Sequence, residues 1–313
     1  MYRFIYLFVL LSAVGATSAV AQQNRLTNVE SQYIRALREE DFQKAAFYVD
    51  EGLVDPLNLS TGLSLAAYFY PDPECRGPSG GGYCTPVGPI AEHLVSLGID
   101  LNMPLYDGLR PISFVCWGGS VAFNNTKILI AQKVEVAFFD DRGMSPLHYC
   151  AAQPAPSKLP ISHRLDTEAW DRHKFVMEAL ISAGADINTI YAGQRPLSVS
   201  GVGLEFAPGA TPLIMSVATW DQGHPRFERI EFLLTKGANP ILADANGNTA
   251  VNYLEYIDSE AGQENTLVVL KMLAEKGADV MRPNNRGKSL YDIAVEKGDI
   301  DFALKIKSIV QAR

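Results

Sequence analysis

Residues 143–148, Gly-Met-Ser-Pro-Leu-His, contain every signal that the start of a helix requires. Ser145 can cap a helix, because its hydroxyl accepts a hydrogen bond from backbone amides that have no partner in the first turn. Pro146 then stands at the first helical position, where the N–H that proline lacks would have had no partner in any case. The stretch therefore predicts a turn at the glycine that is followed directly by a helix.

The same opening recurs along the chain, and a second glycine element alternates with it. The opening glycine stands two residues before Ser or Thr at Gly62, Gly143, Gly209, Gly247 and Gly287, with a sixth copy, Gly108, before Arg. The second glycine, followed within three residues by Asp or Asn, stands at Gly52, Gly98, Gly184, Gly237 and Gly277. Glycine ends helices because it adopts the left-handed conformation without strain. The alternation predicts consecutive pairs of short helices, none of which could bury its apolar face alone.

These elements resemble the ankyrin repeat family, and the chain looks like an exported, bacterial periplasmic-type member. Residues 145–148, Ser-Pro-Leu-His, are similar to the family's Thr-Pro-Leu-His signature, and residues 211–214, Thr-Pro-Leu-Ile, keep three of its four positions. Residues 184–188, Gly-Ala-Asp-Ile-Asn, resemble the family's loop, and residues 244–249 resemble its hairpin tip and first helix. The resemblance is weakest at residues 133–136, Lys-Val-Glu-Val, where a glycine-led loop is expected.

The resemblance implies an all-α fold, an ankyrin solenoid of helix–turn–helix units with hairpin loops and several inserted loops. We expect about seven units, at residues 27–56, 57–102, 103–137, 138–190, 191–241, 242–281 and 282–313. It also implies that His148 is a structural hydrogen-bonding residue of its turn.

The spacing of the opening glycines predicts insertions. Successive glycines are 46, 35, 66, 38 and 40 residues apart, whereas the family's period is about 33. Most of the excess falls in residues 71–86, 153–168 and 192–208. These loops gather along one edge if the units stack, which favours a surface that is used in binding. Neutral drift in tolerant loops remains the alternative.

The N-terminal segment predicts export. Arg3 precedes an apolar run over residues 4–11, and Ala19-Val20-Ala21 provides the small residues that signal peptidase requires. We expect residues 1–21 to be a cleaved signal peptide and residues 22–313 to be the mature domain. Cleavage removes one Arg and no acidic residue, so the net charge goes from −8 to −9.

The net charge and the hydropathy of the chain exclude some classes of partner. An acidic chain argues against nucleic acid or an anionic membrane as the main partner. No later stretch is long and apolar enough to cross a bilayer. We expect a periplasmic or secreted protein, a monomer, that does not insert into a membrane after cleavage.

The four cysteines fall into two pairs. Cys75 and Cys84 bracket a Gly-rich loop, and in an oxidising compartment we expect them to form a disulfide. Cys116 and Cys150 lie in the first helices of neighbouring units, one position out of register. We expect them to be buried free side chains, with a second disulfide as the alternative. We expect neither a metal nor a cofactor, because no Cys/His pairing has zinc-ligand spacing.

No catalytic residues are expected. The five histidines lack a matching constellation of Ser, Cys or Asp. A hydrolase that uses the inserted residues 153–208 is the alternative from a different class. Its titratable candidates are Asp166, Glu168, Asp171 and His173.

The remaining candidates are surface side chains. In the family, aromatic residues of the first helices line the concave side, and hairpin tips contact partners. Aromatic and Arg side chains are also the usual anchors of interfaces. We therefore predict protein binding by Tyr106, Trp117, Arg142, Tyr149, Trp220, Asn246, Tyr253 and Tyr256. The alternative is that the aromatic residues pack between units. We expect residues 140 and 141, Asp-Asp, to form a solvated loop.

Fold resemblance and compartment together predict a non-catalytic protein-binding module in the periplasm. Some exported ankyrin proteins resemble immunity factors, so the resemblance implies an immunity protein that neutralises a secreted toxin. The partner would be a folded protein, either a toxin or a periplasmic enzyme. A scaffold or protector of an oxidative-stress enzyme is the alternative.

Overall fold

The computed structural model describes residues 28–39, 41–55, 95–98, 100–104, 107–116, 119–152, 166–199, 204–219, 227–254 and 256–311. The chain divides into two compact units, Met1–Glu135 and Val136–Arg313, referred to below as unit 1 and unit 2. The predicted signal peptide, the predicted Cys75–Cys84 disulfide and the predicted insertion at residues 71–86 lie outside the described residues.

The described part of unit 1 is helical. Helix α1 (Asn28–Arg38) packs against α2 (Phe42–Asp50), and the 3-10 turn Pro111–Phe114 packs against α3 (Gly119–Ala131). Asp41 caps α2, because its carboxylate accepts a hydrogen bond from the backbone N–H of Lys44 at 3.1 Å.

Unit 2 is also dominated by helices, with one short ladder of strands. Its elements are α4 (Pro146–Ala151), α5 (Asp166–Ser182), β1 (Leu197–Val199), β2 (Leu204–Phe206), α6 (Pro212–Ala218), α7 (Glu228–Thr235), the 3-10 turn Ala250–Tyr253, α8 (Glu260–Glu275), α9 (Leu290–Glu296) and α10 (Ile300–Gln311). The strands are antiparallel, with Leu197 opposite Phe206. Within the described residues, no helix is both long and apolar enough to span a membrane.

Helix pairs of unit 2 pack side by side around an apolar core. Helix α4 packs against α5 and α6, α6 packs against α7 and the 3-10 turn, and α8 packs against α7 and α10. The core side chains are fully or almost fully buried, and they include Leu147, Phe206, Leu233, Leu270 and Phe302.

Three of the predicted helix starts are confirmed as α-helices, whereas Arg110 and Thr249 precede 3-10 turns and residues 62–64 lie outside the described residues. Ser145, Thr211 and Ser289 each accept a hydrogen bond from the backbone N–H three residues later, and Pro146 and Pro212 occupy the first helical position. Local capping chemistry therefore decides where α4, α6 and α9 begin.

The structural role predicted for His148 is confirmed as well. Its Nε2 atom lies 3.1 Å from the carbonyl oxygen of Ala210. Nε2 therefore carries the proton, which leaves Nδ1 to accept from the backbone N–H of Ser145 at 3.1 Å. The fully buried imidazole thus joins the start of α4 to the loop before α6.

A lysine takes the place of a glycine where α3 ends. Gly184, Gly237 and Gly277 follow later helices with φ near 100°, and Lys133 has φ of 54° at the corresponding position. The backbone N–H of Val134 donates to the carbonyl of Leu129, as that of Ala238 donates to Leu233. The helix therefore ends in the same way, although a side chain with Cβ must adopt the left-handed conformation.

We expect Lys133→Gly to raise the free energy of unfolding by about 1 kcal/mol, because the left-handed conformation costs a residue with Cβ about that much. Urea denaturation of the full chain measures it. Gly237→Lys is the mirror control, since a Cβ there meets no atom within 4 Å. Gly237→Lys should lower the free energy of unfolding by a similar amount. A higher free energy of unfolding in both variants would contradict the explanation.

The expectation that Cys116 and Cys150 are free thiols is wrong. Both are disulfide-bonded, and the described residues contain no free cysteine. Spacing along the chain could not decide this, because bond formation depends on Cα separation and on the direction of the two Cβ atoms.

Candidate protein-binding site

Three turns of unit 2 share one pattern of hydrogen bonds, at residues 140–144, 244–248 and 284–288. The backbone N–H of the first residue donates to the carbonyl oxygen of the fifth residue. The carbonyl oxygen of the first residue accepts from the backbone N–H of the fourth residue, which is a glycine with φ between 75° and 85°. The side-chain Oδ1 atom of the first residue accepts from the amides of the third and fifth residues at 2.8–3.1 Å. These first residues are Asp140, Asp244 and Asn284.

In two of these turns a tyrosine nine residues later holds the remaining carboxylate oxygen. Tyr149 donates to Oδ2 of Asp140, and Tyr253 donates to Oδ2 of Asp244 at 2.6 Å. Asp140 is only 6% exposed, so the expectation of a solvated loop is wrong for this residue, although Asp141 is exposed. Burial raises the pKa of the Asp140 carboxyl, while the bonds from Tyr149 and the turn amides oppose that rise.

We expect Tyr149→Phe to lower the free energy of unfolding by about 2 kcal/mol, because it leaves a buried carboxylate oxygen without its donor. Urea denaturation at pH 7 measures the loss. Tyr253→Phe is the matched comparison and should cost a similar amount, since its acceptor Asp244 is 5% exposed and Asp140 is 6% exposed. An unchanged midpoint for Tyr149→Phe would show that the bond does not stabilise the turn.

A pocket of about 510 Å³ lies beside the first of these turns. Its walls are residues 139–143 and 191–195, together with Leu197. The backbone N–H of Ala192 donates to the carbonyl of Gly143 at 2.9 Å, which holds the two walls together. Two glycines permit this approach. A Cβ on Gly143 would lie 2.2 Å from the backbone nitrogen of Gly193, and one on Gly193 would lie 2.0 Å from the Tyr191 hydroxyl.

Tyr191 organises the second wall of the pocket. Its backbone makes two hydrogen bonds to the loop before α6. The N–H of Tyr191 donates to the carbonyl oxygen of Ala210, and the carbonyl oxygen of Tyr191 accepts from the N–H of Gly209, both at 2.8 Å. Its hydroxyl donates to the carbonyl of Arg195 at 2.8 Å. Burial raises the pKa of Tyr191, and the charge of Asp140 adds to that rise. Arg142 is half-buried, and its Nε atom has no exposed surface.

Apolar side chains, most of them exposed, lie on the segments that lead from each helix-ending residue towards the next turn. Along residues 134–140 buried and exposed residues alternate without a break, and residues 238–244 follow a similar pattern. At the fourth and sixth positions after the helix-ending residue, six of the eight residues are exposed, and Asn188 and Met281 are half-buried. Seven of the eight are apolar, and Asn188 is the polar one. We call these seven the apolar band: Ala137, Phe139, Ile190, Ile241, Ala243, Met281 and Pro283.

Hydrogen bonds between successive segments connect the parts of the apolar band. Oδ1 of Asn188 accepts from the backbone N–H of Asn239 at 2.8 Å. The turns that follow the segments are joined as well, since Oδ1 of Asn248 in turn 244–248 accepts from the backbone N–H of Asn285 in turn 284–288 at 3.2 Å. The segments therefore follow one another in space as they do in sequence. Phe139, Ile190 and Ile241 are 49%, 52% and 57% exposed.

The structure brings together only some of the predicted binding residues. Tyr106, Trp117 and Trp220 lie outside the described residues. Arg142 lines the pocket, and Asn246 is exposed at the tip of its turn.

The three predicted tyrosines make internal contacts. Tyr149 is 6% exposed. The ring of Tyr253 lies 6.0 Å from that of Phe206, and Tyr256 donates to Asp299 at 3.0 Å and contacts Phe302. Their role in binding stays a prediction.

Sequence reasoning missed the apolar band. The signal that could have found it is positional: counting four and six residues from Lys133, Gly184, Gly237 and Gly277 gives these side chains directly. The prediction concentrated on residues of first helices and hairpin tips, whereas the band lies on the segments between them; Phe139 is its one aromatic member, and its other members are not of the types that usually anchor interfaces.

The candidates of the alternative hydrolase do not form a site among the described side chains. The pKa of His173 is lowered to about 3, first by burial and then by the charge of Arg229. Asp171 is exposed, and the side chains of Asp166 and Glu168 lie outside the described part of the chain. In that part, no group of three or more His, Cys, Asp or Glu residues is arranged to hold a metal ion.

No protein-family model matches the chain, and no curated protein matches its sequence. Among solved structures, it is similar to a chain of the complex between the Bd0816 predatory endopeptidase from Bdellovibrio bacteriovorus and the immunity protein Bd3460. The two chains are 21% identical with a TM-score of 0.49, and the match covers 79% of this chain and 98% of that chain. A likeness of this size carries no inference about function.

Proposed function

We propose that this chain is an exported, non-catalytic, ankyrin-type protein-binding module that docks a folded partner on the apolar band. The observation that carries the proposal is the chemistry of the fourth and sixth positions after the helix-ending residues: seven of eight are apolar in four successive segments. Single exposed apolar residues are ordinary on a protein surface, whereas a contiguous series marks an interaction site.

The rigidity of the segments supports a folded partner. The inward residues of each segment are largely buried, and the turns are held by backbone and carboxylate hydrogen bonds. A surface that is ordered before binding loses little conformational entropy on association, so it suits a partner of fixed shape.

The ankyrin assignment belongs to the same proposal. The recurring turns, the capped first helices and the hydrogen bonds of His148 support it. The disulfide-bonded state of Cys116 and Cys150 supports action in an oxidising compartment.

The partner that we propose is a secreted toxin, which would make the chain an immunity protein. Covering a toxin's active site requires a rigid surface and no chemistry of its own. The expected mature charge of −9 would steer a basic toxin towards it.

A double substitution that places two negative charges on the apolar band tests its role in binding. We expect Ile190→Asp with Ile241→Asp to weaken capture of a stoichiometric partner by tenfold or more, because the charges must be desolvated in the interface. The measurement is capture by tagged, purified mature protein, with helix content followed by circular dichroism. Leu304→Asp is the control, since Leu304 is 56% exposed on α10. If the double variant captured the partner as well as the Leu304→Asp control does, the proposed role of the band would be refuted.

The immunity function has its own test. The captured partner, expressed with an export signal in a host that lacks this chain, should arrest growth, and co-expression of this chain should restore it. A partner that is harmless under these conditions would exclude the toxin while leaving the binding module in place.

A further inference from the structure

A chemically reactive pair of residues lies at the tip of a turn in unit 2. Asn246 and Gly247 are the third and fourth residues of turn 244–248, and the sequence contains no other Asn-Gly pair. Both residues are exposed, and a Cβ on Gly247 would meet no atom within 4 Å. No hydrogen bond within the described part of the chain holds the side-chain amide of Asn246.

An Asn side chain that precedes glycine can react with its own backbone. The backbone nitrogen of Gly247 loses its proton and attacks Cγ of Asn246, which closes a cyclic imide and expels the side-chain nitrogen as ammonia. Water then opens the imide at either carbonyl and leaves aspartate or isoaspartate at position 246. Glycine favours this attack, because it has no Cβ to obstruct the close approach of the backbone.

The closed turn opposes the attack. The N–H of Gly247 donates to the carbonyl oxygen of Asp244 at 2.9 Å, so the nitrogen that must react is already engaged. The N–H of Asn246 donates to Oδ1 of Asp244, also at 2.9 Å, which fixes the peptide before the reactive side chain. The nitrogen reaches Cγ only after the backbone between Asn246 and Gly247 rotates and the bond from Gly247 to Asp244 breaks.

Tyr253 restrains the opening of this turn. Its hydroxyl donates to Oδ2 of Asp244 at 2.6 Å, and Asp244 is 5% exposed. The carboxylate that holds the amides of the turn is thereby tied to the 3-10 turn Ala250–Tyr253. An opening that frees Gly247 and displaces Asp244 must also break a hydrogen bond to a charged acceptor.

We propose that Asn246 is a site of slow deamidation and that local opening of turn 244–248 sets its rate. Overall, the reaction consumes one water and releases one ammonia. The product places a second negative charge close to the buried carboxylate of Asp244, and isoaspartate also lengthens the backbone. Both changes disfavour the closed turn, so the modification is a permanent change at the end of the apolar-band segment that carries Ile241 and Ala243.

Peptide mapping by mass spectrometry, after prolonged incubation in mildly alkaline buffer, measures the conversion of Asn246. We expect the full mature chain to convert about tenfold faster, or more, when it is unfolded in guanidinium chloride than when it is folded. Asn285 is the internal control, since it is exposed in turn 284–288 but precedes Arg286. Equal rates in the folded and unfolded chain, or conversion of Asn285 before Asn246, would overturn the proposal.

Two tyrosine variants with similar expected losses of stability distinguish local opening from unfolding of the whole chain. Tyr253→Phe removes the bond to Asp244 and should raise the rate in the folded protein about tenfold. Tyr149→Phe removes the corresponding bond to Asp140 in turn 140–144 and should leave the rate at Asn246 unchanged. An unchanged rate in Tyr253→Phe, or the same acceleration in both variants, would show that opening of turn 244–248 does not control the reaction.

Discussion

Gly143→Ala is expected to lower the free energy of unfolding by about 3 kcal/mol or more, because two separate costs add. Gly143 has φ of 85°, a conformation that strains any residue with Cβ. Its added Cβ would also lie 2.2 Å from the nitrogen of Gly193 and 2.5 Å from the carbonyl carbon of Ala192. The backbone cannot easily move away, since Ala192 donates to Gly143 at 2.9 Å.

Gly247→Ala separates these two costs. Gly247 holds the same turn position with φ of 78°, but a Cβ there would meet no atom within 4 Å. We expect this variant to lose about 1 kcal/mol, which is the conformational cost alone. Urea denaturation followed by circular dichroism measures both variants. Similar losses in the two would mean that segment 191–195 shifts freely and that the pocket walls are not fixed.

Acid is expected to destabilise the protein steeply between pH 6.5 and pH 4, through His148, which is fully buried, and His173, which is half-buried. Burial lowers the pKa of His148 to about 4 and, with the charge of Arg229, that of His173 to about 3. In the unfolded chain both titrate near 6.5, so that state binds more protons throughout this window. Each histidine then costs about 1.4 kcal/mol per pH unit as the pH falls.

The combined loss from the two histidines is expected to be roughly 5 kcal/mol between pH 6.5 and pH 4. Asp140 has the opposite effect on stability as the pH falls. Its pKa is raised on folding, so the folded state takes up this proton at a higher pH than the unfolded state and is stabilised by it. Urea denaturation at half-unit steps from pH 7.5 to pH 4 measures the slope. In His173→Gln the slope should fall to about half. An unaltered slope would show that His173 is not protonated on unfolding.

Much of the local structure could be predicted because its chemistry is local. A capping hydroxyl and the amide that it satisfies lie three residues apart, so Ser145 and Thr211 marked helix starts that the structure confirms. Lys133 shows the limit of glycine as a signal. The helix ends there without a glycine, since packing can compensate for about 1 kcal/mol of backbone strain.

The candidate site was less predictable, because residue type does not reveal what a side chain contacts. Tyr149 and Tyr253 are aromatic residues on first helices, and both were predicted to face a partner. Their hydroxyls instead hold the carboxylates of Asp140 and Asp244. The spacing of nine residues in both pairs was present in the sequence, but its meaning depends on a turn that folds back against the helix.

The sequence by itself determined the alternation of short helices and turns, the capping residues and, where a glycine marks them, the positions where the backbone adopts positive φ. Each of these rests on hydrogen bonds and sterics within about five residues. Only the tertiary structure decided the burial of Asp140, the disulfide-bonded state of Cys116 and Cys150, and the pocket between residues 139–143 and 191–195. Those features depend on how separate parts of the chain pack against one another; the two walls of the pocket, for example, are about 50 residues apart in sequence, and the packing of the intervening helices sets the distance between them.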